Sequence, residues 1–517
     1  MADKPWTEGP CRSAGHLLGS HRDQTDLMKK MTANQIDSRR ILLEKYLRGE
    51  CTVPLSPQIR KVSRKVSKRG TVVSLSQEQL WLHAQEYAAI PEIYTESITI
   101  YRNGPLDLKV MNESLREILR RHELWRSSFE VGEDGRLLQV VEEETEFPLA
   151  VVDLSAWPAS QQEREATRIA TAQAQQPFDV RRGRLVRATL VSLSDQQHRL
   201  YIDMHQIITD GISAFQVLPV ELASLYGSFL MGKPSTLPEL TWQFADFAAW
   251  QREWLEGSTL QEQLEYWRGR FEVQSSPLRW PNDPAERIDT HRAKIEPFAL
   301  SWEALGELQT ARKRSGISLF ASLVAVFSVL LYGYSQQEDM VLGTLAPCGR
   351  CRTEFEKLLG YFMNPVPLQL RVSPAHTFYQ MMLQAQQVIS GAISHGDVPF
   401  EHAVRALSKQ PVPGRYPLFR IGISLAPPVA SLPPGWDMTS MQAESGAGRW
   451  GLYLVMSERR EHLMGRIQYN PDVFKQTTIA ALLDDFRRLA AAAGAHPENC
   501  VSDLLTEATI QEKTDES

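Results

Sequence analysis

The chain is poor in cysteine: 517 residues carry five, Cys11, Cys51, Cys348, Cys351 and Cys500. So few scattered thiols exclude a disulfide framework and fit a reducing compartment, so a cytoplasmic location is expected. Cys348-Gly349-Arg350-Cys351 is a CxxC, but no second Cys or His pair accompanies it, and no metal or redox role is expected. Basic excess is also missing. Lys and Arg number 56 against 62 Asp and Glu, a net charge of −6, which argues against a nucleic-acid partner. The first twenty residues are polar and lack the apolar core of a secretory signal. One long stretch, Ser315 to Gln337, lacks charge. Ser318, Ser322, Ser328 and Ser335 interrupt it, so a helix buried in a large core is expected rather than a membrane span. With 43% hydrophobic and 23% charged residues, the composition is that of a globular protein. The length implies roughly three compact units.

The stretch that organises the chain is Met204-His205-Gln206-Ile207-Ile208-Thr209-Asp210-Gly211. Before it, Arg199 to Met204 alternates polar and apolar residues and predicts a strand. After it, Ile212 to Leu218 opens a helical pattern continued by Leu222, Leu225, Tyr226 and Phe229. Asp210-Gly211 is a turn dipeptide between them. A His, a carboxamide and an Asp are thus held where a strand gives way to a helix, a place where folds expose reactive groups.

Residues 1–72 read as a preamble. Ile36 to Gly49 predicts a short amphipathic helix, and Arg60, Lys61, Arg64, Lys65, Lys68 and Arg69 form a basic run, either a solvated linker or a docking segment for an acidic partner. From Val73 the compact part begins. A helix with Ser76 as N-cap, a strand over 97–101 and a helix over 108–121 are predicted. Strands near 137–142 and 185–205 flank a helix near 160–176. A long helix runs from Phe244 toward Arg270. Pro277, Pro281 and Pro284 mark a boundary, giving units over 73–272 and 273–505 and a tail over 506–517. His122, at a helix end before a strand, reads as structural.

The organising stretch resembles the His-His-x-x-x-Asp-Gly signature of condensation domains of nonribosomal peptide synthetases, with Gln206 in place of the second His. Further motifs follow in the family's order over about residues 73–500. They are Ser74 to Trp81, Arg121-His122-Glu123, Phe244 to Trp250, His291-Arg292-Ala293, Gly360-Tyr361-Phe362-Met363-Asn364, His395 to Glu401, and Arg415 to Phe419. The resemblance implies an α/β fold with mixed sheets of the chloramphenicol-acetyltransferase type, two lobes forming a V around a central tunnel. It implies amide-bond formation, in which an aminoacyl amine on an acceptor carrier protein attacks an acyl thioester on a donor carrier protein. Phosphopantetheine arms come from those carriers, and the chain holds no cofactor of its own. An adjacent adenylation domain or polyketide synthase module, a monomeric domain and no membrane are the remaining expectations. Neither a carrier-protein Ser motif nor an adenylation signature is found, so an excised piece of a synthetase is expected.

The same resemblance assigns the site. Gln206 takes the position of the residue at the reacting amine, and His205 supports it from the opposite face. Asp210 pairs with Arg292 across the lobes, Gly211 permits the tight turn, and Asn364, Arg415 and Ser424 line the tunnel. A carboxamide at position 206 cannot take a proton at neutral pH. Three accounts stand: an introduced His-to-Gln change, a natural Gln in a slower enzyme, or a degenerate relative that recruits partners. An epimerisation-type relative is a further alternative, though its extra His motif is not found.

Overall fold

The computed structural model describes residues 59–62, 70–87, 89–143, 146–147, 149–271, 290–350, 352–407, 419–439 and 445–510. The helix expected over 36–49, most of the basic run, Cys351 and Arg415 lie outside these residues.

In the first half, strands β1 (Thr95–Asn103), β2 (Leu149–Asp153), β3 (Val186–Ser194) and β4 (Gln197–His205) form one sheet. In the second half, β5 (Lys294–Ser301), β6 (Asp339–Pro347), β7 (Met363–Arg371), β8 (Ile421–Ala426), β9 (Trp436–Thr439), β10 (Leu452–Glu458) and β11 (His462–Tyr469) follow. Among the described residues, the second sheet has the order β7-β6-β8-β10-β11-β5, with β8 parallel to both neighbours. The first has the order β9-β1-β4-β3-β2, so β9 leaves its own half and pairs antiparallel with β1, Trp436 opposite Arg102 and Thr439 opposite Thr99. A small sheet of Thr71–Val72, Leu137–Val141 and Ser127–Val131 stands beside them.

Helices cover the sheets where the sequence is amphipathic. Leu108–Arg121 forms as expected: Asp107 accepts hydrogen bonds from the N–H groups of Lys109 and Val110, and Met111, Leu115, Ile118 and Leu119 are buried. The helix Leu75–Glu86 starts two residues earlier than expected. Ser74, not Ser76, is its cap, in a capping box with Gln77. Gln77 then reaches Ile207 O at 2.9 Å and ties this helix to the organising turn. The long helix expected from Phe244 is two, Phe244–Trp254 and Ser258–Phe271, broken where Gly257 adopts φ +69°. The uncharged stretch forms Leu319–Ser335, buried from Leu319 to Gly333 in the core of the second half. Among the described residues no single helix is long and apolar enough to cross a membrane, although this helix and Gly306–Ser315 pass together as a pair bent by 117°. Of the basic run, Lys61 lies over the Trp242 ring and Val62 N–H donates to Asp246 at 2.9 Å.

Candidate active site

Strand β4 ends at His205, and a 3₁₀ turn of Gln206–Ile208 follows. Successive residues at a strand end point to opposite faces. His205 turns into the first half's core, 2% exposed, beside Tyr94 and Phe178. Its Nδ1 accepts the Ile207 N–H at 3.1 Å. Burial pushes its pKa down to about 3, which keeps the ring neutral. Gln206 turns the other way and lines a chamber between the two sheets, together with Gly211, Ser424, Ala426 and Pro427. Its Oε1 is buried and has no hydrogen-bond partner among the described residues. Positions 205 and 206 thus face opposite sides of the turn, one sealed in the core and one on the chamber wall.

The entry to the next helix contains a π-turn, Ser213–Val217, before Leu218–Leu230. Pro219 carries no N–H, so it cannot give the Phe215 carbonyl the usual i→i+4 hydrogen bond. That carbonyl accepts Ala430 N–H at 3.1 Å, and Gln216 Nε2 donates to Pro428 O at 3.1 Å, so two hydrogen bonds join the organising helix to the segment after β8.

Asp210 does not pair with Arg292. Its Oδ1 accepts from Ser213 N–H at 2.7 Å and from Arg350 at 3.0 Å, and its Oδ2 accepts Phe362 N–H at 3.2 Å. Arg350 also donates to Ser213 Oγ and to the carbonyls of Phe355 and Leu358, and stacks over Phe362. Ser213 Oγ in turn donates to Gly360 O and accepts Gly360 N–H. Arg292 lies at the surface and binds Asp472 at 2.7 Å. The loop after β6 is the nearer source of a cation, because Cys348 N–H to Phe362 O at 2.7 Å folds it back onto the Asp210 turn. Arg350 lies inside the CxxC, whose Cys348 is buried. Gln251 donates to its sulfur, and burial raises the thiol pKa.

Gly211 has no positive φ, so no left-handed turn requires a glycine there. A Cβ there would contact Pro427 at 3.4 Å. Asn364 does not line the chamber. Its Nδ2 donates to Gly396 O and Val398 O at 2.8 and 2.7 Å, and its Oδ1 accepts Phe400 N–H at 3.1 Å. The preceding residue, Met363, takes the chamber face, and strand alternation turns Asn364 away. Ser424 lies on the chamber wall, held by the Tyr453 hydroxyl at 2.9 Å. His122 is structural: its Nδ1 accepts Leu359 N–H and its Nε2 meets Glu221 at 2.9 Å. Among the described residues, no group of three or more His, Cys, Asp or Glu side chains could hold a metal.

Comparison with known proteins fits this geometry. The family model described as "Condensation domain" matches residues 68–514. One of the linear gramicidin synthase subunits of Brevibacillus parabrevis is 33% identical over 453 residues, 87% of this chain and 9% of that protein. Phosphinothricin tripeptide synthetase PhsC of Streptomyces viridochromogenes is 30% identical over 466 residues, 89% of this chain and 42% of that protein. The chain spans less than a tenth of the gramicidin synthase subunits that it matches. The X-domain from teicoplanin biosynthesis superposes with a TM-score of 0.73 at 24% identity, over 86% of this chain and 99% of that one. The first condensation domain of the calcium-dependent antibiotic synthetase, solved with a substrate analogue, gives 0.73 at 21%, over 84% and 99%. The sheets have the chloramphenicol-acetyltransferase-like arrangement of such structures, and the chain belongs to the condensation-domain family of nonribosomal peptide synthetases.

Proposed function

We propose that this chain forms an amide bond between two groups delivered as thioesters, and that Gln206 orients the acceptor amine instead of taking its proton. The amine nitrogen attacks the donor carbonyl, the C–N bond forms, the C–S bond breaks, and the donor carrier leaves as a thiol. The phosphopantetheine arms belong to the carriers and reach the chamber from opposite faces. The observation that carries the reading is the Gln206 carboxamide on the chamber wall, with a buried oxygen that lacks a donor among the described residues. An amine N–H is a donor of the right kind for it. A proton still has to leave the amine, and water or a second group must take it, because His205 is sealed on the far face and kept neutral. Alignment of two tethered reactants supplies most of the rate in such a site. The donor is read as an L-aminoacyl or polyketide-derived group from an adjacent module, and residues 73–272 and 273–505 as the two lobes.

The test is intact mass spectrometry of the acceptor carrier after both loaded carriers are mixed with the chain. A general base contributes about 10²–10⁴-fold, so Gln206→His should speed condensation by about 10²-fold or more. If parent and variant are both inert yet bind both carriers, the enzyme reading fails. A second reading then takes over, that of a partner-recruiting module. It is favoured by the non-titrating residue at 206 and by the likeness to the X-domain, which was solved as a complex with OxyB.

A further inference from the structure

A carboxamide at position 206 leaves the proton of the reacting amine without a destination, and the strand beside it carries an acceptor. β1 and β4 pair antiparallel, with Thr95 opposite His205, Glu96 opposite Met204 and Ser97 opposite Asp203. Residues directly opposite each other share a face of the sheet. Thr95 and Ser97 thus take the face of His205, and Ser97 Oγ donates to Asp203 Oδ1 at 2.6 Å. Glu96 takes the other face, with Met204. Gln206 stands two positions beyond Met204, and His205 between them is still extended, with φ −73° and ψ 135°. The alternation therefore carries through to Gln206, which becomes the diagonal neighbour of Glu96. Such neighbours lie about 7–8 Å apart, within reach of long side chains. Both residues line the chamber, and Glu96 is half-buried there. Burial raises the pKa of Tyr453 across the chamber, and Glu96 adds to the rise while Arg449 and Arg466 oppose it. The Glu96 carboxylate is thus within electrostatic reach of the second half's wall.

A neutral amine brings two N–H donors. One meets Gln206 Oε1 in the reading above, and a side chain two positions away on the neighbouring strand can meet the other. We propose that Glu96 is the proton acceptor of the condensation, a role that position 206 cannot fill with a carboxamide. This inference rests on the condensation reading and adds a catalytic residue to it. The amine lone pair attacks the donor carbonyl, the C–N bond forms, and one N–H proton passes to a Glu96 carboxylate oxygen. The C–S bond then breaks with its electron pair on sulfur. The same proton passes from Glu96 to that sulfur, so the thiol leaves and the carboxylate is restored. Carboxylates serve as general bases, although an imidazole is the stronger base and better matched to neutral pH. Gln206→His therefore still gains over Glu96, and it also removes the reaction's dependence on Glu96.

The experiment repeats the carrier assay with Glu96→Gln, which keeps the side chain's size and removes its basic oxygen. Condensation should slow by about 10²-fold, the lower end of what a general base contributes, with affinity for both carriers unchanged. In the Gln206→His background the loss caused by Glu96→Gln should be smaller by about tenfold or more, the coupling of two groups that serve one proton. Formate added to Glu96→Ala should restore part of the lost rate, and chloride at equal ionic strength should not. A structural role for Glu96 would give the same loss in both backgrounds and no rescue by formate. Either of those results overturns the proposal, and so does Glu96→Gln condensing at the parent rate. If Glu96→Gln does not fold, as judged by circular dichroism, formate rescue of Glu96→Ala decides alone. If the parent itself condenses nothing, the condensation reading falls and this one with it. If the parent condenses and Glu96→Gln matches it, this one alone falls.

Discussion

Replacing Arg350 by Met tests whether the Asp210 turn depends on a buried cation. Asp210 would lose its 3.0 Å partner and, among the described residues, keep the N–H groups of Ser213 and Phe362. The carbonyls of Phe355 and Leu358 would lose donors as well. The two side chains are 0% and 2% exposed, so water cannot replace what is removed. Breaking a buried pair from one side costs about 3–5 kcal/mol. The exposed pair is the control. Arg292 and Asp472 are 63% and 33% exposed, and Arg292→Met should cost about 0–1 kcal/mol. Urea unfolding followed by tryptophan fluorescence measures both. Arg350→Met combined with Asp210→Asn should cost less than the two single changes together, by about 0.5–3 kcal/mol of coupling. A loss below about 1 kcal/mol for Arg350→Met, or an equal loss for Arg292→Met, would refute the argument that burial decides which arginine matters.

Acid should destabilise the fold through His205. Its folded pKa of about 3 lies below the unfolded value, so between roughly pH 6.5 and 3 the unfolded chain binds a proton that the folded one excludes. Stability is then lost as pH falls, by up to about 1.4 kcal/mol per unit. The drop in melting temperature between pH 7 and 5.5 should be smaller in His205→Leu than in the parent, and an unchanged drop would remove His205 as the cause. Gly343→Ala should cost about 1–3 kcal/mol or more by overpacking, because the new Cβ would lie 2.0 Å from Trp450 and 2.2 Å from Phe419. Wild-type denaturation behaviour in that variant would show that these rings yield.

Local signals are legible in the sequence and long-range ones are not. The helix Leu108–Arg121 is readable to the residue, since its apolar stripe and its Asp107 cap agree. The break at Gly257 is hidden because aromatic residues on both sides continue one helical pattern through it. The opposite orientations of His205 and Gln206 follow from strand alternation alone. Asn364 is misplaced by sequence because Met363 to Leu368 is buried on both faces, so no polar alternation shows which residues face the chamber. Arg350 escapes because it stands 140 positions from Asp210. The stretch before the Gly360-Tyr361-Phe362 motif, which also binds the Asp210 turn, offers Arg350, Arg352 and Lys357, and nothing in the sequence singles out Arg350 among them.

The crossing of β9 bears on how synthetases can be recombined. A cut in the proline-containing stretch between residues 272 and 289 looks natural by sequence, yet it would separate β1 from the strand that covers it. The first fragment would display the backbone of Thr99 to Arg102 as an open edge, a template for pairing with other chains. The second would carry Trp436, which meets Tyr226 edge-on and lies under Arg102, with neither partner present. Engineered hybrids that exchange half of this chain therefore inherit a foreign edge strand with it. Their success should follow the match between residues 99–102 and 436–439 more closely than overall identity.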